Sequence, residues 1–114
     1  MKVQTMVLGP LETNCYLAYD EQTLDAVVID PAASFRKIAE ALQGLQCRAI
    51  LLTHAHFDHM GALKPLHKAT GAPVYVHEAD TDPDAPMTYG RLLYTDTCKE
   101  GDELTFGTLS FTVL

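Results

Sequence analysis

The chain has 114 residues, of which 47% are hydrophobic, so we expect one domain with a modest core. Eight Lys and Arg residues against fifteen Asp and Glu residues give a net charge of -7, which argues against a nucleic-acid or anionic-membrane surface. The sequence contains no signal-peptide pattern and no apolar run long enough to span a membrane. The three cysteines form no Cys-x-x-Cys pair, so we expect free thiols and a cytoplasmic protein.

The hydrophobic pattern predicts three strands and a helix in the first part of the chain. Residues 2–8 (KVQTMVL) alternate loosely between apolar and polar, and residues 15–19 (CYLAY) are mostly apolar. Residues 24–30 (LDAVVID) form a β-branched run that favours a buried strand. Apolar residues then recur at helical spacing over residues 35–45, with Ser34 in the position of an N-cap.

The rest of the chain predicts two more strands, a second helix and a hairpin. Residues 48–53 (RAILLT) and 73–77 (PVYVH) favour short strands, and residues 62–70 favour a helix between them. Residues 102–114 alternate on both sides of Gly107, which is typical of a β-hairpin. This order of elements predicts a mixed α/β fold with helices packed on a sheet.

Residues 80–98 (DTDPDAPMTYGRLLYTDTC) begin with a cluster of Asp and Pro residues. Such a composition favours a solvated surface loop. The alternative is a lid beside a functional site, with Tyr89, Arg91 and Tyr94 as substrate contacts. The sequence leaves both interpretations open.

Four potential metal ligands lie within six positions, directly after the predicted strand at residues 48–53. In an extended backbone, His54 and His56 point the same way and can reach one metal ion. Asp58 and His59 follow where the chain turns towards the next helix, so they can face a second ion. Two metal ions roughly 3.5–4 Å apart can share a hydroxide. The H-x-H-x-D-H spacing therefore predicts a metal site rather than a polar loop with hydrogen-bonded histidines.

This motif resembles the signature of the metallo-β-lactamase-fold hydrolases. The segments LGPLETNCYL, AVVIDPA and GAPVYVHEAD are similar to those found, in the same order, in the small glyoxalase II-like (hydroxyacylglutathione hydrolase-like) members. The resemblance implies an αββα sandwich in which His54 and His56 bind the first metal ion and Asp58 and His59 the second. It also implies that Asp30 supports the metal-binding segment, whereas the residues alone equally allow a strand-ending turn aspartate.

For the complete enzyme, the resemblance implies hydrolysis of a small-molecule thioester by a metal-bound hydroxide. Two zinc ions are expected, with iron or manganese as alternatives, and Asp58 is expected to orient the hydroxide as well as to bind metal. The alternatives within the superfamily are an iron-dependent sulfur (persulfide) dioxygenase and a lactonase. A Ser or Cys nucleophile is not required, and no base adjoins any cysteine in the sequence.

The same family has two similar halves, with a further histidine in an H-T-P-G-H-like segment after a strand such as residues 108–114. No such segment occurs in this sequence, so residues 1–114 are expected to be the N-terminal half, weak or inactive alone. His67 is expected to face solvent on its helix, and His77 to be a structural or supporting residue. The alternative to an enzyme is a non-catalytic fragment that associates with itself through an open sheet edge.

Overall fold

A computed structural model of the protein describes residues 2–8, 13–31, 33–53, 62–77 and 95–113. Within these ranges the elements are β1 (Lys2–Leu8), β2 (Thr13–Tyr19), β3 (Asp25–Ile29), α1 (Phe35–Ala41), β4 (Gln46–Leu52), α2 (Leu63–Thr70), β5 (Val74–His77), β6 (Asp96–Cys98), β7 (Glu103–Phe106) and β8 (Leu109–Thr112). In these described ranges, no helix is long and apolar enough to cross a bilayer.

Six of the strands form one mixed sheet in the order β1-β2-β3-β4-β5-β6. Strand β2 is antiparallel to both of its neighbours, β1 and β3, whereas β3, β4, β5 and β6 run parallel to one another. The carboxyl ends of these four parallel strands therefore lie at the same edge of the sheet, which is where α/β proteins usually bind ligands. We call this the carboxyl edge. Strands β7 and β8 form a separate antiparallel hairpin.

One face of the sheet packs against both helices. Alternation along the strands places every second side chain on this face. The largest cluster of buried apolar residues lies here, and all of the following are at most 1% exposed: Val28, Ile38, Ile50, Leu66, Val74 and Val76. This cluster is the main hydrophobic core.

The opposite face of the sheet packs against the β7–β8 hairpin. Val27 and Ala49 from the sheet and Leu109 from the hairpin are buried together. Tyr75 and Phe106 meet edge to face, with ring centroids 5.2 Å apart and an interplanar angle of 67°. The architecture is thus helices, mixed sheet and hairpin in successive layers, which confirms the predicted α/β class.

Asp25 holds the hairpin turn to the beginning of β3. Its carboxylate is buried and accepts hydrogen bonds from Arg48 Nε at 2.7 Å, from the Thr108 amide at 3.1 Å and from the Thr108 hydroxyl at 3.3 Å. Gly107 has a φ of +62°, and a Cβ there would lie 2.1 Å from Asp25 Oδ2. A glycine is therefore required both by the backbone and by the close approach of this carboxylate.

Three local predictions need correction. The first helix ends at Ala41 rather than near residue 45, because residues 42–44 form a turn that ends with Gly44 at a φ of +81°. Ser34 does occupy the N-cap position, but its backbone is left-handed and its side chain makes no capping hydrogen bond. The predicted loop at residues 80–98 contains β6, a three-residue strand that pairs with β5; residues 78–94, including the proposed lid contacts, lie outside the described residues.

Candidate functional site

The predicted metal ligands His54, His56, Asp58 and His59 lie outside the described residues. The structure does describe both flanks of their segment. Thr53 follows β4 directly, and Ala62 immediately precedes α2. The two residues that flank the predicted metal-binding segment, residues 54–61, in the sequence are therefore placed by the structure.

Asp30 connects the end of β3 to the first of these flanks. Its carboxylate accepts a hydrogen bond of 2.8 Å from the Thr53 amide and another from the Thr53 hydroxyl. The Asp30 amide in turn donates to the carbonyl oxygen of Leu51 at 2.9 Å. Asp30 is only 3% exposed and has a φ of +56°, a conformation that Asp adopts more readily than most residues. A buried carboxylate requires such donors, so Asp30 fixes the backbone at the residue before His54.

The second flank is held by the residue next to Asp30. The amide of Ala62 donates a hydrogen bond of 2.8 Å to the carbonyl oxygen of Pro31. Thr53 and Ala62, the described residues on either side of residues 54–61 in the sequence, are thus joined to the same two-residue stretch after β3. This arrangement agrees with the expectation that Asp30 supports the metal-binding segment.

A cavity of about 330 Å³ lies between the sheet and the hairpin at the carboxyl edge. One row of lining residues lies along this edge and consists of Thr53, His77 and Cys98. His77 and Cys98 are register partners, and Thr53 directly follows β4, whose last residue pairs with the residue before His77. A second row, two residues further back along the strands, consists of the register partners Ile29, Leu51 and Tyr75. Leu104 and Phe111 of the hairpin line the opposite side.

His77 and Cys98 lie opposite each other on adjacent strands, a pairing that was not predicted from the sequence. They are 21 positions apart in the chain, and Cys98 fell in a predicted loop. The parallel pairing of β5 with β6 makes them register partners, and both line the cavity. Cys98 therefore has a base, His77, opposite it on the neighbouring strand, although no base adjoins it in the sequence.

The prediction that His67 faces solvent is only partly right. The His67 side chain is half-buried, and its Nδ1 lies 2.8 Å from the carbonyl oxygen of Ala72, to which it donates a hydrogen bond. In the part of the chain that the structure describes, no three His, Cys, Asp or Glu side chains group closely enough to hold a metal ion. Neither His67 nor His77 therefore forms a second candidate centre with other described residues.

The described cysteines are free thiols, and Cys15 is the most deeply buried of them. Burial raises the pKa of its thiol to about 12, with a smaller contribution from the negative charge of Asp30. Burial also raises the pKa of Cys47. Because the thiolate is the reactive form, the structure agrees with a packing role for these two residues.

Comparison with known proteins shows the family to which the chain is similar. Residues 8–91 match the model of the family described as Metallo-beta-lactamase superfamily. The chain is 43% identical over 81 residues to "Probable metallo-hydrolase YqgX" of Bacillus subtilis (strain 168), a match that covers 68% of this chain and 37% of that protein. The chain thus spans little more than a third of the length of the curated relatives that it matches.

Solved structures confirm the expected fold. The crystal structure of BLEG-1 B3 metallo-beta-lactamase superposes with a TM-score of 0.83 and 31% sequence identity, covering 97% of this chain and 59% of that one. The crystal structure of TTHA1623 in a di-iron-bound form gives a TM-score of 0.71 and 36% identity, covering 91% and 57% of the respective chains.

Proposed function

The chain belongs to the metallo-beta-lactamase superfamily, and from this premise we propose that it forms part of a metal-dependent hydrolase whose substrate is a thioester. The observation that carries the proposal is the pair of hydrogen bonds that hold Thr53 to Asp30 and Ala62 to Pro31, because the histidine-rich stretch lies in the sequence between these two flanking residues. The name of the relative YqgX, a probable metallo-hydrolase, supports hydrolysis. The thioester rests on the resemblance to the glyoxalase II-like members.

His54, His56, Asp58 and His59 would hold the metal ions. Imidazole nitrogen and carboxylate oxygen are donors that suit both zinc and iron. When bound, such an ion supplies Lewis acidity, which polarises a carbonyl group and makes hydroxide available near neutral pH. The di-iron form of TTHA1623 makes iron a metal to be tested beside zinc.

The other residues of the chain position these ligands. The carboxylate of Asp30 holds the Thr53 backbone, so the direction in which the chain leaves β4 is set by a buried group of fixed geometry. Asp58 would serve both as a ligand and as the group that orients the attacking water. No cysteine is assigned a part in this reaction.

Thioester hydrolysis is tested by assaying the metal-free chain after addition of zinc, iron or manganese. The substrates are a hydroxyacylglutathione and a simple acyl thioester, with a β-lactam, a lactone and a persulfide (followed by oxygen consumption) as competitors. Because residues 1–114 are expected to be weak alone, we expect slow, metal-dependent thiol release that is lost in His54→Ala/His56→Ala and retained in His67→Gln. Faster turnover of any competitor, or thiol release unaffected by the double substitution, would contradict the proposal.

A further inference from the structure

We propose that two copies of this chain associate through β1, which pairs with β1 of the second copy in an antiparallel register centred on Thr5. This edge of the sheet is separate from the metal-binding segment, so the proposal does not depend on the proposed function. It is carried by the directions of the backbone groups along β1 and by the symmetry of its residues about Thr5.

The two edge strands of the six-stranded sheet differ in how they are protected from pairing with another chain. Strand β6 is three residues long and contains Asp96, and short, charged edges resist such pairing. Strand β1 is seven residues long, contains no proline and pairs with β2 in an uninterrupted register. Its one charged residue, Lys2, lies at its beginning and is neutralised by Glu21, with Nζ 2.8 Å from Oε1. Strand β1 therefore lacks the features that usually protect an edge.

Hydrogen bonds at both ends of β3 show which of its backbone groups face each neighbouring strand. The Leu24 carbonyl accepts a hydrogen bond of 2.7 Å from the Gln46 amide, before β3 begins. After β3 ends, the Asp30 amide donates to the Leu51 carbonyl at 2.9 Å. Even-numbered residues thus direct their backbone groups towards β4, because these directions alternate along a strand. The odd-numbered residues of β3 direct theirs towards β2.

The same alternation, followed through β2, identifies the residues of β1 whose backbone groups point out of the sheet. Each odd-numbered residue of β3 lies opposite an even-numbered residue of β2, and the Asp20 amide accordingly donates to the Asp25 carbonyl at 2.9 Å. The odd-numbered residues of β2 therefore bond to β1, where their partners are even-numbered. In the part of the chain that the structure describes, no further strand pairs with β1. The outward-directed residues are Val3, Thr5 and Val7.

These three residues match themselves under a two-fold rotation about Thr5. In an antiparallel pair centred there, Thr5 lies opposite Thr5 of the second copy, and Val3 lies opposite Val7 of the second copy. All three pairs are of the hydrogen-bonded kind, which exchange two bonds each, so the register supplies about six backbone hydrogen bonds. A register shifted by two residues keeps only two of the three pairs.

The side chains favour the same register. Val3 and Val7 are 59% and 56% exposed, and they share the face of Ala18, which lies opposite Val3 on β2. Under the two-fold rotation each valine packs against the other valine of the second copy, and β-branched pairs directly opposite each other stabilise a sheet. The pairing lies in the plane of the sheet, so it does not depend on what covers either face.

The proposed dimer keeps the two carboxyl edges apart. Strand β1 runs in the same direction as β3, since each is antiparallel to β2. Antiparallel pairing of β1 with its copy therefore turns the two carboxyl edges towards opposite ends of the dimer. Association through β1 thus leaves metal binding in each copy unaffected.

The oligomeric state of the full chain tests the association. In sedimentation equilibrium, we expect the mass to rise with protein concentration from 12.5 kDa towards twice this value. Thr5→Pro removes the outward amide at the two-fold axis and should weaken association at least about tenfold, because each copy loses a hydrogen bond. Thr5→Ala, which removes the hydroxyl but keeps the amide, should associate as the unmodified chain does. Circular dichroism checks the fold of Thr5→Pro, since proline is tolerated where the amide points away from the sheet.

Charge substitutions test the register without a proline. Val3→Lys/Val7→Lys and Val3→Glu/Val7→Glu each place like charges opposite one another, so each variant alone should stay at 12.5 kDa. In a mixture of the two, opposite charges meet across the pair and association should return. An unmodified chain that remains at 12.5 kDa, or a mixture that stays monomeric while the unmodified chain associates, would overturn the inference. Neither thioester hydrolysis nor metal binding enters these measurements, so the proposed function stands or fails separately.

Discussion

The Asp30 carboxylate and the Thr53 amide are joined by a hydrogen bond of 2.8 Å that connects the end of β3 to the end of β4. The Thr53 hydroxyl donates to the same carboxylate, and the neighbouring Pro31 carbonyl accepts from Ala62. The four predicted ligands lie in the sequence between Thr53 and Ala62. The residues on both sides of the predicted ligands in the sequence are thus held by Asp30 and Pro31, which are not predicted ligands themselves.

Asp30→Asn should weaken metal binding more than it weakens the fold. Asn accepts a positive φ, but it replaces a charged acceptor of two hydrogen bonds by a neutral amide. We expect zinc affinity to fall by about 10- to 100-fold, as for other groups that orient metal ligands. Competitive zinc titration measures this. Asp102→Asn, which alters a half-buried aspartate that accepts a hydrogen bond from the Lys99 amide, is the matched control. Equal affinities for Asp30→Asn and the unmodified chain would refute the orienting role.

Gly107→Ala should destabilise the protein by at least about 2 kcal/mol, because a left-handed backbone strain adds to the clash with Asp25. Gly71→Ala is the matched control, since Gly71 has a φ of +67° and open space around its Cβ position. The difference between the two variants isolates the contact with Asp25. Urea unfolding gives the free energy of unfolding of both variants. Similar losses of stability in the two would show that the close approach of Asp25 to Gly107 does not matter.

The contribution of Asp25 should depend on pH. The Arg48 side chain and the Thr108 amide hold the pKa of this carboxyl below its usual value. A lowered pKa in the folded state means that the stabilisation is present above the unfolded-state value of about 3.9 and disappears as the pH falls through the folded-state value. The difference in unfolding free energy between the unmodified chain and Asp25→Asn should therefore be constant near neutral pH and should shrink under acidic conditions. Urea unfolding midpoints measured over this pH range test the prediction, and a difference that does not change with pH would contradict it.

Cys15 should resist alkylation in the folded protein. With a pKa of about 12, only about one thiol in ten thousand is ionised at a pH of about 8, and the side chain is buried. Peptide mapping after iodoacetamide treatment should find Cys15 modified only in denaturant. Labelling of Cys15 at the same rate with and without denaturant would show that β2 opens readily.

The sequence predicts most of the fold because strong local patterns coincide with the elements. The five strands β1 to β5, the hairpin and α2 all follow from periodicity and turn residues. Strand β6 does not, since its three residues carry no periodicity and their structure depends on pairing with β5. Ser34 has the residue type of an N-cap, yet its left-handed backbone prevents the usual hydrogen bond.

The candidate site is only partly predictable for a related reason. The ligand motif is local and is evident in the sequence, whereas its supports are contacts between distant residues. Asp30 and Thr53 are 23 positions apart, and Asp25 and Thr108 are 83 apart. The pairing of His77 with Cys98 likewise exists only through the sheet. Resemblance to a family suggested Asp30, but nothing in the sequence suggested Asp25.

Zinc titration of purified chains by calorimetry tests whether His54, His56, Asp58 and His59 bind metal. We expect the unmodified chain to bind zinc, His54→Ala/His56→Ala to lose at least the ion assigned to these two histidines, and His67→Gln to bind zinc as the unmodified chain does. Equal stoichiometry and affinity in the double variant and the unmodified chain would show that other residues hold the metal.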